Sequence, residues 1–339
     1  MSTTSDDAAQ PYAGLTPDTV LDALDSVEVR GDGRMLALNS YENRVYQVWL
    51  EPGSSVVAPS ADAIVAKFYR PARWSDAQIV EEHAFATELA GHEIPVVAPL
   101  ALATGSLARF EAFRFAVYPR QGGRAPELDD RRVVERIGRF IGRIHAVGGA
   151  SAFKQRPTLE VASFGDASRD YLVEHDFIPA DLRPAWTSTI DQALAAVRRA
   201  FERLPDLRTL RLHGDCHAGN ILWTDAGPHF VDFDDSLTGP AVQDLWMLLS
   251  GDRADAQLQL RAMLRGYEDF CEFDDRELAL VEALRTLRLI HYAAWIARRW
   301  HDPAFPAAFP WFNTQRYWQD RVLELREQLA AMDEPPLRA

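Results

Sequence analysis

Lysine is almost missing from this chain: of 36 basic residues in 339, only Lys67 and Lys154 are lysines. Arginine therefore serves wherever a generic cation suffices, and a lysine that persists is a candidate for work a planar guanidinium does less well. Cysteine is equally scarce. Cys216 and Cys271 are the only two, too few for a disulfide framework and in keeping with a reducing compartment. No run of about 18 apolar residues is present to cross a membrane, and the opening MSTTSDDAAQPY lacks the basic start and apolar stretch of a secretory leader. A soluble, cytoplasmic protein is expected. Long Lys/Arg runs are missing too, and a formal charge of −14 repels phosphate-rich surfaces, which argues against nucleic-acid and membrane partners. No internal repeat is visible.

What is there is an ordinary globular composition, 47% hydrophobic and 25% charged, in a chain longer than one usual core, so two lobes are expected. Residues 1–14 are small and polar and read as a disordered lead-in. Thr16-Pro17 then caps and starts a short helix carrying Val20, Leu21 and Leu24. Three strands follow at Met35–Leu38, Val45–Trp49 and Ala63–Phe68, rich in β-branched and aromatic residues, with a mobile Pro/Gly/Ser loop over 51–62. Ser75 with Gln78 signals a capping box and a helix to about Gly91, with Ile79, Phe85 and Leu89 inward. Pro95–Pro99 and Phe113–Tyr118 read as two further strands. The Pro119–Arg124 break separates an N-terminal antiparallel-sheet lobe, 15–119, from a larger, mainly helical lobe, 120–339. Helical patterns there cover Arg132–Val147, Ser168–Glu174, Pro184–Leu204, Val242–Leu249, Ala254–Glu272, Asp275–Trp300 and Gln315–Met332. Gly138 and Gly142, four apart, would let a second helix approach closely.

The densest chemistry lies between Arg211 and Leu245, where His213, Asp215, His217, Asn220, Asp232, Asp234 and Asp235 crowd together. A packed core tolerates such groups only when paired or coordinated. Asp215 and Asn220 have the D-x-x-x-x-N spacing of a kinase catalytic loop, and a hairpin then delivers Asp232 at a strand end. Phosphoryl transfer needs an aspartate to orient the attacking hydroxyl and take its proton, and hard oxygen ligands for Mg²⁺. Upstream, Ile64-Val65-Ala66-Lys67 matches the V-A-I-K type of strand lysine.

With His213-Gly214-Asp215-Cys216-His217-Ala218-Gly219-Asn220 the chain resembles the protein-kinase-like superfamily, in its aminoglycoside phosphotransferase and choline kinase branch. The runs Leu38–Gln47, Val65–Pro71 and Gly239–Met247 are similar to a bacterial stress-response group of serine/threonine protein kinases within it, over about residues 12–337. The resemblance implies an α+β, bilobal protein-kinase-like fold and a monomer that uses ATP and Mg²⁺ on protein substrates with Ser/Thr hydroxyls. It also implies Asp215 as proton acceptor, Asn220 and Asp232 as metal ligands, and Lys67 as the phosphate-binding lysine. Ser40 would contact nucleotide, and Glu82, in preference to Glu81, would pair with Lys67. Two departures stand out. The first loop lacks G-x-G-x-x-G, so Ser40, Asn43 and Arg44 would act with side chains instead. The metal strand reads Asp232-Phe233-Asp234-Asp235 in place of Asp-Phe-Gly, leaving open whether Asp234 touches metal or caps a turn.

Other readings stay beside this one. A small-molecule phosphotransferase for an amino alcohol or aminoglycoside-like acceptor shares every catalytic residue. His213, Asp215 and His217 at alternate positions would suit a metal-dependent hydrolase, although histidines that hold the loop by hydrogen bonds are the commoner case. A non-catalytic nucleotide-binding regulator would leave the complete lysine, base and ligand set without a purpose. Asp244 either caps a helix or reaches back to the catalytic loop. The aromatic residues from Tyr292 to Trp318 read mostly as helix packing, with the Pro/aromatic loop from Asp302 onward as a candidate acceptor wall. The acidic runs 127–130 and 269–275 read as solvated faces.

Overall fold

The computed structural model describes residues 11–53, 58 and 60–339. Most of the expected lead-in, and positions 54–57 and 59 of the expected mobile loop, lie outside those residues. The chain forms two compact units: Met1–Pro126 with Phe153–Arg156 and Ala218–Ser236, and Glu127–Ala152 with Pro157–His217 and Leu237–Ala339.

In the first unit, α1 (Pro17–Asp25) begins where Thr16 accepts the Thr19 N–H and buries Val20, Ala23 and Leu24. Strands β1 (Gly31–Ala37), β2 (Arg44–Leu50), β3 (Ala63–Phe68), β4 (Ala108–Phe110) and β5 (Phe113–Pro119) form one antiparallel sheet in the order β1-β2-β3-β5-β4. β3 lies in the middle, and its register sets Lys67 opposite Val45 on one side and Ala116 on the other. The helix α2 (Asp76–Gly91) starts with the capping box between Ser75 and Gln78 and buries Ile79, Phe85 and Leu89. One expected strand is corrected. Pro95–Pro99 makes only a parallel bridge through Val96 to Phe230, because its two prolines have no N–H for a ladder; the three residues of β4 take the edge position. The hairpin of β6 (Ile221–Thr224) and β7 (Gly227–Phe230) also belongs to this unit; a further pair, Leu210–Leu212 with Leu237–Gly239, sits in the second unit.

The second unit is built from helices. α3 (Arg131–Gly148) packs against α7 (Arg253–Tyr267), after α4 (Ala167–Glu174), α5 (Arg183–Glu202) and α6 (Val242–Trp246) in the chain. A Cβ on Gly138 would collide with the backbone of Met263, and one on Gly142 with that of Tyr267, so the expected close approach is made. The helix expected over Asp275–Trp300 divides into a 3-10 turn, Asp275–Leu280, whose start Asp274 caps, and α8 (Val281–Ala297). The Pro/aromatic loop contains α9 (Ala304–Ala308), and α10 (Gln315–Asp333) ends the helical region. No helix among the described residues is long and apolar enough to cross a membrane. The fold is α+β, with an N-terminal antiparallel sheet and a helical C-terminal region.

Candidate active site

Lys67 lies almost buried at the end of β3, with Nζ 2.8 Å from Asp232 Oδ1, 3.4 Å from Asp234 Oδ1 and 5.5 Å over the Tyr69 ring. Burial alone would lower its pKa, but the two carboxylates hold it well above the usual value. Asp232 keeps 54% of its side chain exposed and has a left-handed backbone, φ 62° and ψ 63°, a conformation aspartate tolerates better than most residues.

Asp234 is the hub of this cluster. Only 3% exposed, it receives the Arg73 guanidinium, the Asn43 amide at 3.0 Å and Lys67. Burial would raise its pKa, yet Lys67, Arg73 and Asn43 hold it well below the carboxylate range. Its oxygens are engaged by protein donors, with Lys67, Arg73 and Asn43 all reaching the carboxylate. Arg73 also reaches Asp235 at 2.5 Å. Arg156 grips the same loop from behind, donating to the Asp234 carbonyl at 2.6 Å and the Ser236 carbonyl at 2.8 Å. Both guanidiniums lie over Trp74, at 5.2 Å for Arg73 and 4.1 Å for Arg156.

The residues expected around the nucleotide have these surroundings. Glu82 makes no ion pair with Lys67 among the described residues, because the two acids of the 232–234 loop reach Nζ first. Burial then pushes Glu82 up to about 8, with Lys67 only partly opposing the shift. Glu81 is not that partner either: its carboxylate accepts the N–H groups of Lys154, Gln155 and Arg156 at 2.6–2.8 Å, which orients Arg156. Asn43 uses both ends of its amide inside the protein, on Asp234 and on the Arg70 N–H at 3.0 Å. Arg44 lies 4.4 Å over the Tyr12 ring and donates to the Tyr41 carbonyl. Ser40 is half-buried between β1 and β2.

Asn220 ends a 3-10 turn, and its carbonyl accepts the Val231 N–H at 3.0 Å, which sets Asn220 and Asp232 at the same end of the β6–β7 hairpin. An amide and a half-exposed carboxylate are the hard oxygen donors that suit Mg²⁺. No group of three or more His, Cys, Asp or Glu able to hold a metal occurs among the described residues. Two protein oxygens would leave the rest of an octahedral shell to phosphate and water, the usual arrangement for Mg²⁺.

In the second unit, Asp215 Oδ1 accepts Arg288 Nη1 at 2.6 Å, and Oδ2 lies 3.4 Å from His217 Nε2. Burial raises its pKa, but His217 and Arg288 outweigh this and keep it far below the ordinary range. Asp244 does not cap α6. Its oxygens accept the backbone N–H groups of His213 and Gly214, each at 2.8 Å, and meet His145 Nε2 at 3.0 Å, while His145 Nδ1 meets the Tyr267 hydroxyl at 2.9 Å. His213, Asp215 and His217 thus form no metal-binding triad, since His217 and Arg288 face the carboxylate instead. Sequence reasoning missed Arg73, Arg156 and Arg288. In a chain whose cations are nearly all arginine, no local signal singles them out.

The profile of the phosphotransferase enzyme family matches residues 35–281, and the chain belongs to that family. It is accordingly a phosphotransferase. Stress response kinase A of Escherichia coli is 45% identical over 331 residues, 98% of either chain, and serine/threonine protein kinase RdoA of Salmonella typhimurium is 44% identical over 332 residues with the same coverage. Among solved structures, the amicoumacin kinase hAmiN in complex with AMP-PNP, Ca²⁺ and Ami superposes with a TM-score of 0.69 at 20% identity, covering 95% of this chain and 94% of that one. A microcompartment-associated aminopropanol kinase gives 0.68 at 17% identity, over 94% of this chain and 97% of the other. Those two likenesses are of fold alone.

Proposed function

We propose that this protein is a cytoplasmic, ATP- and Mg²⁺-dependent serine/threonine protein kinase of a bacterial stress response. The observation that carries this reading is the near-complete, 45% identical match to a stress response kinase.

In this reading Asp215 holds the acceptor hydroxyl and takes its proton as the γ-phosphoryl passes in line to the oxygen. A carboxylate of such low basicity orients the hydroxyl more than it deprotonates it early, which suits a loose transition state. Lys67 neutralises phosphate oxygens, and leaves Asp232 for them. Asn220 and Asp232 would hold Mg²⁺, which when bound would offset triphosphate charge. Asp244 holds the backbone of the catalytic loop. The test is incubation with labelled ATP and Mg²⁺ alongside a generic protein substrate, a cell lysate and an amino-alcohol panel. Label is expected on protein serine or threonine; label moving only to small molecules would overturn the proposal.

A further inference from the structure

We infer that Arg288 determines acceptor specificity. By taking one oxygen of Asp215 it bars acceptors that carry an ammonium on the carbon beside the reacting hydroxyl, such as amino alcohols, and admits a hydroxyl without that charge, as on serine or threonine within a peptide. This rests on the protein-kinase reading above.

An aspartate without a cationic partner would suit an amino alcohol well. One carboxylate oxygen takes the hydroxyl, the other takes the ammonium of the adjoining carbon, and the opposite charges strengthen the hold. Here the protein itself fills the second place. Arg288 Nη1 stands 2.6 Å from Asp215 Oδ1, so a guanidinium nitrogen lies where that ammonium would bind, and the charge of the carboxylate is matched before any acceptor arrives. On the other oxygen, His217 Nε2 lies 3.4 Å from Oδ2. An incoming ammonium meets a neutralised carboxylate and a like charge at close range, the repulsive element on which specificity commonly depends. A serine or threonine inside a peptide brings no such charge, because its own nitrogen is an amide.

This pair differs from an ordinary surface ion pair, which is worth little. The Asp215 side chain is only 22% exposed, so solvent screens the contact weakly. Arg288 stands midway along α8, whose neighbouring Leu284, Leu287 and Ile290 are buried, so the guanidinium extends from a fixed base. No acid at helical spacing draws it aside: three and four positions to either side stand Arg285, Leu284, His291 and Tyr292. Glu282, the nearest acid before it in the chain, pairs with Arg285 at 3.1 Å. A guanidinium also stays charged at every working pH, so the exclusion does not lapse.

The test compares the full chain with Arg288→Gln and Arg288→Lys, each with Mg²⁺-ATP at about pH 6.5, where a terminal amine is charged. The acceptors are ethanolamine and a peptide whose first residue is the acceptor serine, with its terminal amine either free or acetylated. The two peptides differ only in an ammonium on the carbon next to the one bearing the hydroxyl. Wild type should favour the acetylated form by about tenfold or more in kcat/KM, since a like-charge contact costs several kcal/mol. Arg288→Gln should lose that preference and label ethanolamine at least about tenfold faster than wild type, whereas Arg288→Lys, which keeps the charge, should retain the exclusion. The gain on ethanolamine is read whether or not the peptide is a good substrate, and thermal unfolding shows that each variant is folded. An undiminished preference in Arg288→Gln, or an equal loss on both peptides with no gain on ethanolamine, would overturn the specificity role alone. Wild-type enzyme that labels ethanolamine and no peptide or protein would instead overturn the protein-kinase reading beneath it.

Discussion

Asp234 in the first unit is 4% exposed at its side chain and meets Lys67, Arg73 and Asn43, whereas Asp215 in the second keeps 22% exposed and meets Arg288 and His217. Both carboxylates are held ionised, by opposite means. Asp234 is desolvated and saturated with donors, so its charge is spent on fixing β3 and the 232–235 loop together. Asp215 is steered from one side and remains partly open to solvent, where a hydroxyl can approach. The first arrangement is one of architecture, and the second is the one the proposed mechanism uses. An acid cannot serve both ends, because a desolvated carboxylate that gave up its partners would leave them buried and uncompensated.

Breaking the open carboxylate should give the largest effect on rate. Asp215→Ala is expected to lower kcat by about 10²–10⁴-fold while nucleotide affinity, measured by titration with a fluorescent ATP analogue, is retained; unimpaired turnover would remove Asp215 from the mechanism. The saturated carboxylate should behave the other way. Asp234→Ala removes one buried carboxylate from Lys67 and Arg73, which keep Asp232, Asp235 and Glu42 nearby, and should cost about 3 kcal/mol in urea unfolding, the lower end for a broken buried pair. A change below about 1 kcal/mol would show that the cluster is looser than its geometry. Between these lies Asp244→Ala, which removes the acceptor for His213 and Gly214 and the partner of His145. We expect a loss of about 1–3 kcal/mol together with a fall in kcat, and a stability loss with unchanged kcat would separate this anchor from the reaction.

Where the sequence could be read, local chemistry was enough: Ser75 with Gln78 for the start of α2, β-branched runs for β2 and β3, and Gly138 with Gly142 for a close helix crossing. Pro95–Pro99 misled because its composition is that of a strand while its prolines lack the donors a strand needs. The three residues of β4 are too few to show a period. In the candidate site, spacing singles out Asp215, Asn220 and Asp232, but nothing local announces the partners of Lys67, since Asp232 and Asp234 stand some 165 positions away and reach its ammonium ahead of Glu82. Nothing in the first loop announces that Asn43 meets Asp234. Arg288 carries no local mark at all; only folding brings α8 to Asp215.

The smallest effect, and the one that most sharpens the contrast, concerns Glu82. Burial raises its folded pKa to about 8 from an ordinary 4.5, so the folded chain carries a proton there that the unfolded chain has lost. The stabilisation is complete below the unfolded value and disappears as pH rises through about 8. Two other groups overlap the lower part of this range. His83, pushed down to about 3 by burial, destabilises the fold as pH falls below about 6.5, and Glu277, pushed up to about 7 by burial, adds a falling slope up to that pH. Above about pH 7 the slope belongs to Glu82, with an upper bound of about 1.4 kcal/mol per pH unit. Glu82→Gln, which keeps the shape and removes the proton, should flatten the dependence of urea-unfolding stability between pH 7 and 8. If the wild-type slope persists in the variant, Glu82 is ionised and Lys67 is shared among three carboxylates, which would make the first unit's cluster more like the open site around Asp215 than the ion pairs with Asp232 and Asp234 indicate.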